Sequence, residues 1–202
     1  MTEKMIVVVL RCFVFCICLI SVVPAFKECK KIDQCSCSTD EGIISLWKLA
    51  GTDKPRFSHI PCTGFSYCTA SWNPCRAYTD SWASRICHNV SACAFFGNLH
   101  RAHHPIAYQS TATCELSDYG LCVLKYTGEE APSGYSTSLT VKLICNRGSG
   151  EGTITGMDAT NSSGHFTTAL LSKYACPIPP PPTEGSRQAL AFSLLIAYEQ
   201  IK

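Results

Sequence analysis

The chain has 202 residues, 46% of them hydrophobic and 16% charged, with 17 Lys and Arg against 15 Asp and Glu for a net charge of +2. That length holds one domain of the usual ~100–200 residues and excludes a large multidomain receptor, and the composition favours a packed core over disorder. No block of Lys or Arg is present to meet a run of phosphates, so nucleic acid is not an expected partner.

Residues 1–25 read as a secretory leader. Lys4 and Arg11 come early, an apolar stretch runs over 12–23, and Val23, Pro24 and Ala25 supply the small-residue pattern for a cut before Phe26. The alternative is an uncleaved anchor over the apolar stretch 5–23, which also leaves the rest of the chain lumenal. Of 15 cysteines, Cys12, Cys16 and Cys18 belong to the leader, and the other twelve lie between Cys29 and Cys176. An even, dense set in an oxidising compartment reads as a disulfide framework, each bridge adding ~2–4 kcal/mol.

Between residues 29 and 177 helix-period apolar stretches are missing, and short alternating stretches recur between clusters of Gly, Pro, Asn and Ser. Residues 43–49, 65–72 and 90–96 are short strand candidates. Asn89 and Asn161, each followed by the Xaa-Ser of a glycosylation acceptor, put their segments on the surface. His100, His103 and His104 form the most ligand-like cluster. Gly97 and Asn98 precede it and Pro105 follows, so a solvated loop is expected there, with no metal and no cofactor.

Residues 121–126 form a strand candidate that passes through the turn formers of 128–134 into Ser136–Cys145, the clearest strand of all. There Leu139, Val141, Leu143 and Cys145 fall on one face, with Thr140 and Lys142 on the other. A last strand is expected over 165–174. The class is therefore all-β, a disulfide-rich sandwich or flattened barrel. Such folds bind more often than they catalyse.

The domain ends where the proline run begins, and residues 178–202 read as a spacer with a short apolar tail. The apolar run 189–198 is half the ~20 residues a spanning helix needs, so the tail is either loose or a membrane segment cut short, and membrane association stays open. No enzyme is expected. The chain lacks Gly-x-Ser-x-Gly, a phosphate-cradling glycine loop and His-Glu-x-x-His. Cys35-Ser36-Cys37 lacks redox spacing, and Asp158 and Glu115 are isolated carboxylates.

Three stretches carry a resemblance: Leu121-Cys122-Val123-Leu124-Lys125-Tyr126 before an acidic turn, the strand ending Leu143-Ile144-Cys145-Asn146, and the closing Leu171-Ser172-Lys173-Tyr174-Ala175-Cys176-Pro177. Upstream, Trp72-Asn73-Pro74-Cys75, the Cys87-to-Cys93 segment and Gly42-Ile43-Ile44-Ser45-Leu46 join them. Over residues 35–177 the chain resembles a mannose-6-phosphate receptor homology domain.

That resemblance implies a lectin-like barrel whose members hold mannose-type sugars through a Gln, an Arg, a Glu and a Tyr. The matched positions here are Ala94, Thr137, Asp158 and Phe166, of which Asp158 is a displaced substitute and Phe166 keeps the ring without the hydroxyl. None of the four is retained, and each lost hydrogen bond removes ~0.5–3 kcal/mol. The expectation is a non-enzymatic, lectin-like module of the secretory or endolysosomal pathway, secreted or in a Golgi or lysosomal lumen. It would bind a glycan or glycoprotein with sugar recognition weakened or lost.

The alternative is a working mannose or mannose-6-phosphate lectin that uses shifted residues, Gln109, Arg147 and Asp158. A third reading is an unrelated secreted enzyme or inhibitor on a disulfide scaffold. The resemblance further implies bridges between Cys145 and Cys176, and between Cys75 and either Cys35 or Cys37. Cys114 with Cys122 and Cys87 with Cys93 are plausible local bridges, while Cys29, Cys62 and Cys68 are left unassigned. If strands hold the pocket positions, restoring all four polar residues should rebuild a sugar site.

Overall fold

A computed structural model describes residues 25–81, 85–97, 102–130, 136–159 and 164–180. The expected leader and most of the proline-rich tail lie outside these residues. Among them the structure is all-β, with twelve strands, three single 3-10 turns and no α-helix. It is a disulfide-rich, flattened barrel.

The strands are β1 (Cys29–Asp33), β2 (Ser36–Thr39), β3 (Gly42–Ser45), β4 (Phe57–Thr63), β5 (Cys68–Trp72), β6 (Ala92–Phe96), β7 (Ala102–Ala107), β8 (Thr113–Leu116), β9 (Cys122–Glu130), β10 (Ser136–Cys145), β11 (Thr153–Ala159) and β12 (His165–Ser172). The first three form a small antiparallel sheet. The other nine form one curled sheet in the order β7-β6-β5-β4-β11-β12-β10-β9-β8, with β4 and β11, and β10 and β12, paired in parallel.

Alternation decides which face is buried. In β10, Leu139, Val141 and Leu143 are fully buried and stand opposite Phe166, Thr168 and Leu170 of β12. Tyr126 and Leu124 of β9 complete that layer against Leu139 and Val141. On the other flank Trp72 and Ala70 of β5 face the same core, and Phe57 stacks on Trp72 at 5.5 Å. The sheet curls until its ends meet. Thr127 O of β9 accepts from Tyr108 N–H just beyond β7, and the Thr137 hydroxyl donates to Pro105 O of β7.

Six disulfides use all twelve cysteines after residue 25. Cys145 pairs with Cys176, Cys87 with Cys93, and Cys35, rather than Cys37, with Cys75. Cys62 and Cys68 close the β4–β5 hairpin. The expected bridge between Cys114 and Cys122 is not formed. On the paired strands β8 and β9 these cysteines lie diagonally, Cys114 opposite Leu124 and Cys122 opposite Leu116, and both reach to the small sheet instead. Cys37 takes Cys114, and Cys29 takes Cys122. Sequence spacing registers the hairpin but not the sheet that lies over it.

The histidine segment also departs from expectation. His103 and His104 belong to strand β7 rather than a loop, while His100 lies outside the described residues. Neighbouring strand residues face opposite ways, so His103 meets Phe95 and His104 meets Phe96, and the two imidazoles diverge. The folded part outruns both expected ends. Phe26 is buried, with its N–H on Gly120 O, and Ile178 exchanges two backbone hydrogen bonds with Ile43. Gly42 makes the latter contact possible, because at its φ of 135° any Cβ would collide with the Ile178 carbonyl.

Candidate functional site

The four positions matched to a sugar pocket divide by strand parity. Ala94, on β6, and Phe166, on β12, point inward and belong to the main core, at 0% and 4% exposure. Thr137 also faces inward. Its hydroxyl accepts from Glu129 N–H at 2.8 Å and donates to Pro105 O at 2.8 Å, so its hydrogen-bonding capacity is spent within the fold. Asp158 is different. It pairs with Thr167 and Thr63, one residue out of phase with the inward Met157, and accepts from the Thr63 hydroxyl on the exposed outer face. Three matched positions are thus core positions, and the fourth cannot point where they point.

The shifted residues do not assemble either. Arg147 lies in the exposed turn beyond Cys145, ten residues along from Thr137, which at about 3.3 Å per residue is roughly 30 Å. Gln109 is buried at the start of a 3-10 turn, with Nε2 donating to Gln34 O at 2.9 Å and Oε1 accepting from the Ser91 hydroxyl at 3.0 Å. Ser91 shares its proton with Asn73 O.

The Asn73 side chain is spent in turn. Oδ1 accepts from the N–H groups of Gly51 and Arg56, and Nδ2 donates to the carbonyls of Gly51 and Arg76. This network reaches the buried Tyr126. Burial pushes its hydroxyl far above the usual phenol range, and the dipoles of Trp72, Ser91 and Gln109 offset part of that. Trp72 Nε1 and the Tyr126 hydroxyl are buried without a well-formed hydrogen bond. Gln109 and Asn73 are therefore structural groups. The Trp72-Asn73-Pro74-Cys75 motif marks the second of them in the sequence.

The described residues do form a recess, on the outer face of β4 to β7. It has a volume of about 840 Å³. Parity builds its floor: Thr69, Ser71, Cys93, Phe95 and His103 alternate with the inward Ala70, Trp72, Ala92 and Ala94. Phe95 and His103 are cross-strand partners, with ring centroids 4.8 Å apart.

One wall comes from a bulge in β4 between Phe57 and Ile60, where His59 takes a φ of 55°. The opposite wall is Thr79 to Ser81, held by a small second core of Tyr78, Cys87, Val90 and Cys93. Tyr78 bridges Val90, its hydroxyl meets Ser71 Oγ at 2.5 Å, and the Cys87–Cys93 bond ties the loop to β6. Burial pushes the Tyr78 hydroxyl well up, the Ser71 hydrogen bond offsetting and the Asp80 charge adding to the shift. Asn89 is exposed beside this wall, and its N–H donates to the Thr79 hydroxyl. Asn161 lies outside the described residues.

No three His, Asp or Glu side chains among the described residues bring ligand atoms together. The one such group is Cys29, Cys37 and Cys114, all of them in bridges. Sequence reasoning missed the recess, although its floor lies in the expected strands 65–72 and 90–96. The signal available was the alternation of small with large residues at Ala92-Cys93-Ala94-Phe95. Comparison with protein-family models finds no match for this chain, and comparison with curated proteins finds none either.

Proposed function

We propose that the chain is a non-enzymatic binding module of the secretory or endolysosomal lumen, lectin-like in descent from the mannose-6-phosphate receptor homology fold. Its ligand is a glycoprotein or glycan, and the inner sugar pocket of that family is closed in it. The observation that carries this reading is the filling of the matched inward positions by Ala94, Thr137 and Phe166, which keeps the β frame and removes the polar pocket. The framework of six bridges supports an oxidising compartment. It also leaves no thiol after residue 25 for nucleophilic work.

The test is capture by the secreted full chain of a panel of defined N-glycoproteins, beside a mannose-6-phosphate resin. Glycoprotein capture without retention on the resin is the expected result. Retention on the resin that is lost in Arg147→Ala or Gln109→Ala would turn the reading to the working-lectin alternative. Capture of nothing on the panel refutes a binding module of this kind.

A further inference from the structure

We propose that Ser149, in the turn between β10 and β11, is the attachment site of a glycosaminoglycan chain, begun by transfer of a pentose from a nucleoside-diphosphate sugar. The proposal rests on the lumenal placement in the binding-module reading, and it concerns a modification of this chain rather than its ligand.

The turn reads Asn146-Arg147-Gly148-Ser149-Gly150-Glu151-Gly152. A transferase that builds on a serine must close its cleft around the hydroxyl, so neighbours without a Cβ admit it. An acidic residue close by suits an enzyme surface made basic to build a polyanion. Three serines in the chain precede a glycine: Ser133, Ser149 and Ser163. Only Ser149 has glycine on both sides, a further glycine three residues on and a carboxylate between.

The fold presents this serine and leaves its hydroxyl unused. Asn146, Arg147, Gly148, Gly150 and Glu151 are exposed, with Ser149 half-buried among them. Ser149 N–H donates to Asn146 O at 3.1 Å and Gly148 N–H to Asn146 Oδ1 at 2.9 Å, but the Ser149 hydroxyl makes no hydrogen bond among the described residues. The hydroxyls of Ser91, Thr137 and Ser172, by contrast, are spent within the fold.

The glycines divide by what the backbone asks of them. Gly150 at φ 60° and Gly152 at φ 132° serve the turn itself, whereas at Gly148 a Cβ would meet only Asn146 Oδ1, at 3.4 Å. The fold does not require glycine at 148, and an approaching enzyme does. A Cβ on Gly150 would meet nothing within 4 Å, so the space beside the serine is open. Both ends of the turn are fixed, one by Cys145–Cys176 and the other by Ser172 Oγ, which donates to Glu151 O at 2.7 Å. Glu151 is paired with Arg56, and both are exposed, so the pair opens at little cost to meet a partner.

In the transfer Ser149 Oγ attacks the anomeric carbon of the nucleotide sugar. The bond from that carbon to the diphosphate breaks, its electron pair leaves on the nucleoside diphosphate, and the hydroxyl proton passes through the transferase to that leaving group. Ser149 with Glu151 two residues on would also suit a lumenal serine kinase, and Gly148 is what favours the sugar chain.

The test is expression of the full chain in animal cells that modify a reference proteoglycan in the same culture. The secreted wild type should run as a broad, high-mass band that collapses with chondroitinase or heparinase. Mass spectra of the tryptic peptide 148–173 after lyase treatment should place the residual linker saccharide on Ser149. Ser149→Ala should remove the lyase-sensitive band with secretion unchanged, and Glu151→Gln should lower its share several-fold.

A lyase-sensitive band that persists in Ser149→Ala, a linker on Ser133 or Ser163 instead, or a phosphate on Ser149 would overturn the proposal. A chain that is secreted with Ser149 bare removes this site and leaves the lumenal reading standing. A chain that stays in the cytosol removes both.

Discussion

Gln109 separates a structural from a ligand-contacting role most sharply, because sequence shifting offers it as a sugar-binding amide and the fold uses both ends of it internally. Gln109→Ala removes the bond to Gln34 O and the bond from Ser91 Oγ. Each neutral bond is worth ~0.5–1.5 kcal/mol, and a buried partner left unmet adds to that. The truncated side chain also leaves a void beside Tyr126 in a site where Gln109 is only 7% exposed.

The sum is ~2–4 kcal/mol, or about 4–16 °C in Tm for a domain of this size. Denaturant unfolding with disulfides intact measures it, and an unchanged slope shows that only stability has moved. Gln109→Met, which keeps the length and drops the hydrogen bonds, should lose most of the same amount. A loss below ~0.5 kcal/mol together with abolished sugar binding would refute the structural assignment.

The disulfide framework and the buried hydroxyls carry further expectations. Cys37→Ser frees Cys114, whose sulfur lies within 4.8 Å of that of Cys29, so non-reducing peptide maps should show a Cys29–Cys114 species beside Cys29–Cys122. Finding Cys114 joined to Cys75 instead would contradict the framework. Tyr78 and Tyr126 have folded pKa values raised above 10.0, so their contribution to stability is intact below pH 10 and falls as pH rises beyond it. In an alkaline ultraviolet titration these two phenols should ionise only with loss of near-ultraviolet dichroism, and ionisation of all eight tyrosines in the intact fold would oppose this. Val90 and Ser91 of the Asn89 acceptor are fully buried after folding, with the Ser91 hydroxyl bonded. Glycosylation at Asn89 should therefore precede closure of Cys87–Cys93, and a reductant pulse during synthesis should raise occupancy. Unchanged occupancy would show that the folded segment still opens.

What the sequence disclosed follows strand length and uninterrupted alternation more than burial, for β2, buried and central in the small sheet but only four residues long, went unread. Ser136–Cys145 was legible to the residue because it is central and alternates without interruption. The last strand was expected to 174 and stops at Ser172, whose hydroxyl accepts from Tyr174 N–H and starts a 3-10 turn. Strands β1, β7 and β8 went unread. They lie at sheet edges and carry the lysines, the histidines with Pro105, and Glu115, compositions that suit an edge and look like loops. β4 was hidden by Pro61 and its bulge, and β11 by Gly156. For the site, counting from the cysteines located four positions, but only pairing reveals that Asp158 faces away from the other three.

That parity sets the outcome of restoring the family's polar residues, Ala94→Gln, Thr137→Arg, Asp158→Glu and Phe166→Tyr together. The expected rebuilt pocket requires space on the inner face, and the inner face is filled. Ala94 is fully buried between Ala70 and His104 on the neighbouring strands, so four added heavy atoms must displace packed side chains at ~1–3 kcal/mol. An arginine at 137 loses the hydroxyl that joins Glu129 N–H to Pro105 O, and meets Gly128 and Ile106 close beside it. Its charge would be buried with no carboxylate among the buried described residues to meet it, and residue 158 points outward. Together these costs reach the ~5–15 kcal/mol that holds a whole domain, so the quadruple variant should fail to be secreted, while Asp158→Glu alone should be secreted normally. A quadruple variant that is secreted and retained on mannose resin would mean that the inner face can reopen. The closed pocket would then be a matter of side chains alone and not of the packed frame.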